Sequence, residues 1–426
     1  MGAMHNASAT GRQESLWTHH DFLKMWASQF VSSFGTSMAD FVLPLLVLTL
    51  TGSPAQAGAV AAVEKLPYVL LAIPAGAILD RIDRRRVMVA SNAVRSIILA
   101  GVALYLGFQA TSLWILVTAI VLSGLCFVFF DVADNAAFPR LVPKSRLAQA
   151  SGWMEGSVAV SQLAGPAVAG LILGISTTVT LGASFVYGAD ALALVGSAAA
   201  VLSIRTSLAP PPAVSKRPSL LRSAREGVVY VSRHPELRRL ALANFVNCLL
   251  LATVTLCFIT TARQEFAASG GLTGLALAIG ATGGVVGSLL TGTLARRFSA
   301  RRIMLIAGLS WGVGEAVFSL SPSITFLIFG FVMVSLVRPI YFSILYAYRN
   351  LIIYDSIRGR ANSMYRLLAQ AAEPIGLLLA GAALQTLGPR PFAAIVAALF
   401  LVNALVANTT PVTKPVPVDR LTESIG

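Results

Sequence analysis

Twelve runs of apolar residues follow one another between residues 22 and 408. Each is close to or above the roughly 20 residues of helix that cross a hydrocarbon layer. They read as helices at 22–50, 55–79, 87–108, 112–136, 151–174, 182–203, 237–262, 271–295, 303–320, 323–349, 363–387 and 391–408. Turn residues separate several of them, such as Thr51-Gly52-Ser53-Pro54 and Ser321-Pro322-Ser323. In lipid the backbone of each span must satisfy its own hydrogen bonds, so such runs fold as packed helices. The expected fold is an all-α membrane protein with twelve transmembrane helices. Only 12% of the 426 residues are charged, against roughly 25% in a soluble domain.

The net charge of +14 sits in short clusters between the apolar runs. It forms no single basic face, so nucleic acid is not an expected partner. With the N-terminus inside, the inner loops hold 23 basic residues and the outer loops only Arg263 and Arg390. The positive-inside rule then predicts two cytoplasmic termini. Five of the 32 basic residues are Lys, and with abundant Ala and Gly this suggests a GC-rich bacterial genome. The expected location is the plasma (inner) membrane of a bacterium. The first 21 residues are polar and precede no short apolar core with a cleavage site, so the first run reads as a retained anchor. Cys126, Cys248 and Cys257 lie in apolar runs without a CxxC pair, which speaks against a zinc or disulfide framework. His5, His19, His20 and His234 lie outside the apolar runs.

The longest inner loop, 204–236, is basic, contains Pro210-Pro211-Pro212, and falls midway along the chain. It reads as a linker, with Leu220 to Ser232 as a candidate amphipathic helix on the membrane surface. A shift of 216 residues lays Gly58 on Gly274, Gly76 on Gly292, Arg81 on Arg297, Arg85 on Arg301 and Arg86 on Arg302. The expected organisation is therefore a tail at 1–21, a six-helix half at 22–203, the linker, a second half at 237–408 and a Pro-rich disordered tail at 409–426. Two similar halves around a central site is the build of a secondary transporter.

The segment Gly76-Ala-Ile-Leu-Asp80-Arg81-Ile-Asp83-Arg84-Arg85-Arg86 resembles the loop signature of the major facilitator superfamily, Gly-x-Leu-x-Asp-Arg-x-Gly-Arg-Arg. It lies in the family's place, after the second span, and departs at Asp83. The resemblance implies two pseudo-symmetric six-helix halves and a cytoplasmic latch of Gly76, Asp80, Arg81, Arg84 and Arg85, with Asp134 of helix four as an acidic partner. Helix five carries Ser161-Gln-Leu-Ala-Gly165-Pro166-Ala-Val-Ala-Gly170, which resembles the antiporter signature of drug–proton exchangers. Small residues there permit close helix approach and Pro bends the helix. Phe34-Gly35, Leu43-Pro44-Leu45-Leu46 and Phe138-Pro139-Arg140-Leu141-Val142-Pro143 look like the macrolide-efflux branch. That branch implies proton-driven export of a small amphipathic molecule, with no cofactor.

Charges inside spanning helices are costly and mark candidate sites. Here they are Asp40, Glu64, Lys65, Asp131, Asp134, Asp190, Arg338 and Glu373. Arg338 and Glu373, each followed by Pro, are a candidate coupled pair or a structural ion pair. Asp40 is a second candidate proton carrier. Asp131 and Asp134 share a helix face and read as latch partners of Arg84 or Arg85. Tyr341, Phe342, Tyr346 and Tyr348 could stack on an apolar substrate or form an interfacial belt. No P-loop occurs. Gly308-Leu-Ser-Trp-Gly312 matches a nucleophile elbow but lies inside an apolar helix, so an enzyme is not expected. The expected function is proton-coupled export of amphipathic drugs by a monomer in the lipid bilayer. Export of an endogenous metabolite, siderophore or self-made antibiotic is the alternative, and a non-transporting receptor a more distant one.

Overall fold

The computed structural model describes residues 16–79, 82–143, 146–209, 220–354 and 357–408. Asp80 and Arg81 of the expected latch, residues 1–15 of the expected tail 1–21, the expected tail 409–426 and the Pro-rich stretch 210–219 lie outside the described residues. Thirteen α-helices occur among the described residues: α1 (His20–Thr51), α2 (Pro54–Leu79), α3 (Arg84–Gly107), α4 (Leu113–Ala137), α5 (Leu147–Ile175), α6 (Val179–Leu202), α7 (Leu220–Arg233), α8 (Pro235–Gln264), α9 (Gly270–Arg297), α10 (Ala300–Leu320), α11 (Ile324–Ile352), α12 (Arg358–Leu387) and α13 (Pro389–Asn408). Eleven are long and apolar enough to cross a membrane, and α2, 26 residues with two internal prolines, packs among them as the twelfth. The short one, α7, is the amphipathic helix foreseen in the linker.

Helix starts follow local chemistry. Asp83 caps α3, its Oδ1 accepting from Arg85 N at 3.0 Å. The residue that departs from the loop signature therefore starts the helix three residues earlier than the apolar pattern indicates. Thr178, Ser269 and Ser299 cap α6, α9 and α10 in the same way. Gly52, with φ +65°, ends α1 in a left-handed turn that side chains disfavour.

α1–α6 pack mainly on one another, and so do α8–α13. The two sets meet along two seams, α2 against α12 and α5 against α9. The helix ends and loops at one end of the bundle carry Arg84, Arg85, Arg86, Arg140, Arg205, Arg297 and Arg301 and form its basic end. At the opposite end one core joins both sets, from Phe41–Leu48 of α1 to Leu256–Ala262 of α8. Every residue of these two stretches is buried. Towards the basic end the core divides into separate clusters, one among α1–α6 and two among α7–α12. The bundle is thus closed at the end away from the basic loops and divided at the basic end.

Candidate functional site

A cluster of charges gathers where α1, α2 and α12 approach one another. Lys65 Nζ lies 3.0 Å from Asp40 Oδ1 and 4.0 Å from Glu64 Oε1. Glu373 of α12 is close enough for its charge to act on both Glu64 and Lys65. One ammonium therefore lies beside two carboxylates of the first helix set, with the charge of a third, from the second set, acting on it. The side chain of Asp40 is 40% exposed, against 18% for Glu64. Pro67 sits one turn after Glu64 inside α2.

Behind this cluster the first set holds a second polar layer. Arg95 of α3 is 3% exposed. It donates to Thr36 Oγ1 at 3.3 Å and Ser123 Oγ at 3.4 Å, and its guanidinium lies 5.1 Å from the Phe127 ring centre. Its charge acts on Asp190 and, more weakly, on Asp40. The Asp190 carboxyl fills the space beside Gly35, where a Cβ would come within 2.1 Å of Oδ1. Arg95 escaped the sequence reading, as did Glu315 of α10. Both stand in apolar runs, and the rule that flagged Asp190 applies to them equally.

A third group joins the sets nearer the basic end. Asp131 Oδ2 accepts from Tyr68 OH at 2.8 Å and from Arg366 Nη2 at 3.2 Å, and Arg366 also donates to Tyr68 OH at 2.8 Å. This bridge ties α2 and α4 to α12. Asp131 therefore pairs across the seam with Arg366, rather than with Arg84 or Arg85 as its place on α4 suggested. Arg84 donates to Ala136 O at the end of α4, and Arg85 to Thr206 O. The segment after α6 is strapped down further by Lys24, which donates to Ser203 O, and by Asp21, which accepts from Arg205 N and Thr206 N. Asp134 is 3% exposed, and its Oδ1 has no hydrogen bond among the described residues.

Two other expected contacts come out differently. Arg338 and Glu373 form no ion pair within 4.0 Å among the described residues. Arg338 is exposed on α11, and both charges act on Cys248 of α8. Glu373 lies within electrostatic reach of Lys65 instead, because α12 seats against α2. Tyr341 is 4% exposed, accepts from Asn247 Nδ2 at 2.9 Å, and packs 4.9 Å from Trp311. It belongs to the core that joins both sets and Tyr348 to a cluster of the second set, while Tyr346 remains exposed.

The seams are closest where glycines meet. A Cβ built on Gly58 would lie 2.7 Å from Gly381 Cα, and one on Gly170 would lie 2.7 Å from Gly274 Cα. Gly165 sits equally close to Ser37 of α1. Pro166 lies inside α5 between these two contacts. Gly76 stands near the basic end of α2.

A family profile described as a transmembrane secretion effector of the major facilitator type matches residues 15–420. The chain belongs to this family. The multidrug efflux pump Tap of Mycolicibacterium fortuitum is 30% identical over 371 residues, covering 82% of this chain and 85% of the pump. Macrolide efflux protein A of Streptococcus pyogenes is 23% identical over 364 residues, covering 84% and 88%. The nucleoside transporter NupG has the same fold, with a TM-score of 0.74 at 13% identity, covering 91% of this chain and 98% of the transporter. This major facilitator protein is an efflux-type membrane transporter, not an enzyme, and a multi-pass protein of the bilayer.

Proposed function

We propose that the chain is a proton-coupled antiporter that exports amphipathic drugs, macrolides among them, by alternating access. The observation that carries this reading is the Lys65–Asp40 pair beside Glu64, with the charge of Glu373, from the second helix set, felt at the same place. A carboxyl in such a cluster can exchange its ammonium partner for a proton. Because Glu373 belongs to the second helix set, loading a proton changes the attraction between the sets. That gives the differential interaction between states that coupling requires. The two sets are the moving halves, with α7 and the linker joining them. The basic end faces the cytoplasm with both termini, following the positive-inside rule. The names of the efflux relatives support the direction of transport.

A second reading has its own observation. Arg338 is exposed midway along α11 and suits an anionic cargo, such as a siderophore or an acidic metabolite. Inverted membrane vesicles test both. A panel of lipophilic cations, macrolides and anionic siderophores is offered with a proton gradient imposed or collapsed. Gradient-dependent uptake of the cations or macrolides supports drug antiport. Uptake of the anions alone transfers the assignment to the second reading. No movement of any compound by folded protein removes the exporter reading.

A further inference from the structure

Two carboxyls of the first helix set meet their cations differently. Asp40 closes on Lys65 at 3.0 Å. Asp190 of α6, 1% exposed, has the buried Arg95 of α3 as its cation, and the charge of each acts on the other. Yet Arg95 Nη1 and Asp190 Oδ1 are both buried without a hydrogen bond among the described residues. The guanidinium donates instead to two neutral hydroxyls, those of Thr36 and Ser123. Opposite charges attract strongly away from water, so a buried ionised pair with a flexible arginine arm closes. An open gap fits a carboxyl that is neutral.

The surroundings connect this acid to Asp40. α1 and α6 run antiparallel in one register. Ser28 Oγ meets Ser197 Oγ at 2.7 Å, and the Asp190 carboxyl lies in the notch left by Gly35. The same register sets Tyr187 level with Met38, between Asp190 and Asp40. Asp40 itself stands about 7.5 Å beyond Gly35 along the helix axis. Tyr187 is 1% exposed, and its hydroxyl has no hydrogen bond among the described residues. The charges of Glu64, Asp190 and Asp40 all act on it. The titratable groups around Asp190 are thus Asp40 of α1, Glu64 and Lys65 of α2, Arg95 of α3, Cys126 of α4 and Tyr187 of α6.

We propose that Asp190 is a second proton site of the transport cycle, holding its proton beside Arg95 in this state while Asp40 is ionised against Lys65. A cation arriving near Asp40 adds its charge to that of Arg95 and drives the Asp190 proton off. The Tyr187 oxygen takes that proton as the Tyr187 hydroxyl proton passes to a solvent water at the exposed Asp40. Tyr187 is left as it was, Asp190 becomes an anion, and the cavity gains one hydronium ion. Arg95 then turns from Thr36 and Ser123 to meet the anion, which loosens its hold on α1 and α4. With the proton exchanged at Asp40, two protons enter for each monovalent cation exported, so the exchange moves net charge. This count rests on the antiport reading, whereas the proton on Asp190 does not.

Infrared spectra of the full chain in phospholipid vesicles at neutral pH test that proton directly. A protonated carboxyl shows a C=O stretch above the amide I band, and a carboxylate does not. The spectrum of the unsubstituted protein minus that of Asp190→Asn is expected to contain this stretch, shifted in heavy water. A difference holding only carboxylate bands overturns the proposal. The second test follows ethidium uptake into inverted vesicles, driven either by a pH gradient or by a lumen-positive potassium–valinomycin potential alone. Both are expected to drive the unsubstituted protein. Asp190→Asn is expected to lose the potential-driven uptake by roughly tenfold or more, and the pH-driven uptake by less, because Asp40 still exchanges its proton. Potential-driven uptake kept by Asp190→Asn, or both modes lost equally, overturns the second proton site. Tyr187→Phe is expected to keep the infrared band and slow uptake severalfold, and an unchanged rate overturns the route through its hydroxyl. Absence of ethidium uptake by the unsubstituted protein bears on the antiport reading, and the infrared band then decides the proton on Asp190 alone.

Discussion

Lys65 and Asp40 are held 3.0 Å apart between α1 and α2, and Asp40 is more exposed than the neighbouring Glu64, 40% against 18%. Asp40→Asn keeps the shape of the side chain but removes its charge. Proton-driven uptake into inverted vesicles is expected to fall by roughly tenfold or more, the usual lower range for losing a proton-transfer group. Exchange of labelled for unlabelled substrate without a gradient is expected to persist. Loss of both activities would mark Asp40 as a substrate-binding or structural residue instead.

Gly58 and Gly274 occupy matching positions in the 216-residue repeat, and each is pressed against the opposite helix set. Leucine at either position drives side-chain atoms into backbone. Overpacking of this kind costs about 1–3 kcal/mol, which is enough to favour a state in which the seam has parted. Gly58→Leu and Gly274→Leu are therefore expected to open the end away from the basic loops and to arrest the cycle. The check is the labelling rate of a cysteine placed on α1 at Leu46, now buried. The rate should rise sharply in both variants. An unchanged rate would mean that the seam relaxes around the larger residue.

The Asp131–Arg366 contact is 3.2 Å long, but the arginine side chain is 53% exposed. Solvent screens such a pair, so its share of overall stability is about 1 kcal/mol or less. Its weight lies in which state it favours. Arg366→Ala is expected to leave the melting temperature nearly unchanged while widening the spin-label distance between the basic ends of α2 and α12. No widening would reduce the bridge to a surface ion pair.

The sequence carried the parts of this architecture that depend on local pattern. Span positions follow from hydropathy. The linker helix follows from alternating basic and apolar residues, and its expected start at Leu220 coincides with that of α7. The site depended on pairing across distance, which no local pattern contains. Arg366 reads as one more inner-loop cation until α12 brings it to Tyr68, 298 residues away. Arg338 and Glu373 look like a pair because a mid-membrane arginine needs an acid and Glu373 stands midway along the next span, but α12 seats against α2 and the charge of its acid acts on Lys65 instead. Tyr341 stood in a group of aromatics that could stack on an apolar substrate or form an interfacial belt. The turn of α11 places it on the Trp311 side.

Asp83 supplies a prediction about the departure from the loop signature. Its carboxylate caps α3. Replacing an N-cap Asp by Ala costs about 0.5–2 kcal/mol, and replacing it by Gly only a few tenths. Asp83→Ala is expected to lower the melting temperature in detergent more than Asp83→Gly. The reverse order would mean that glycine's flexibility costs more here than the lost cap.

Glu315 gives the most counter-intuitive expectation. It is 0% exposed in the middle of α10, and neither carboxyl oxygen has a hydrogen bond among the described residues. A buried polar group without partners costs about 1–3 kcal/mol. Leucine fills a similar volume without that cost, so Glu315→Leu is expected to raise the melting temperature. Glu315→Gln keeps the unsatisfied oxygen and is expected to change it little. Glu315→Lys adds a longer cationic chain to a full site and is expected to prevent folding. If Glu315→Leu instead melts lower, the carboxyl stabilises the fold and the cost of its burial is offset. If it melts higher but no longer moves substrate against a gradient, Glu315 serves the transport cycle at the expense of the fold.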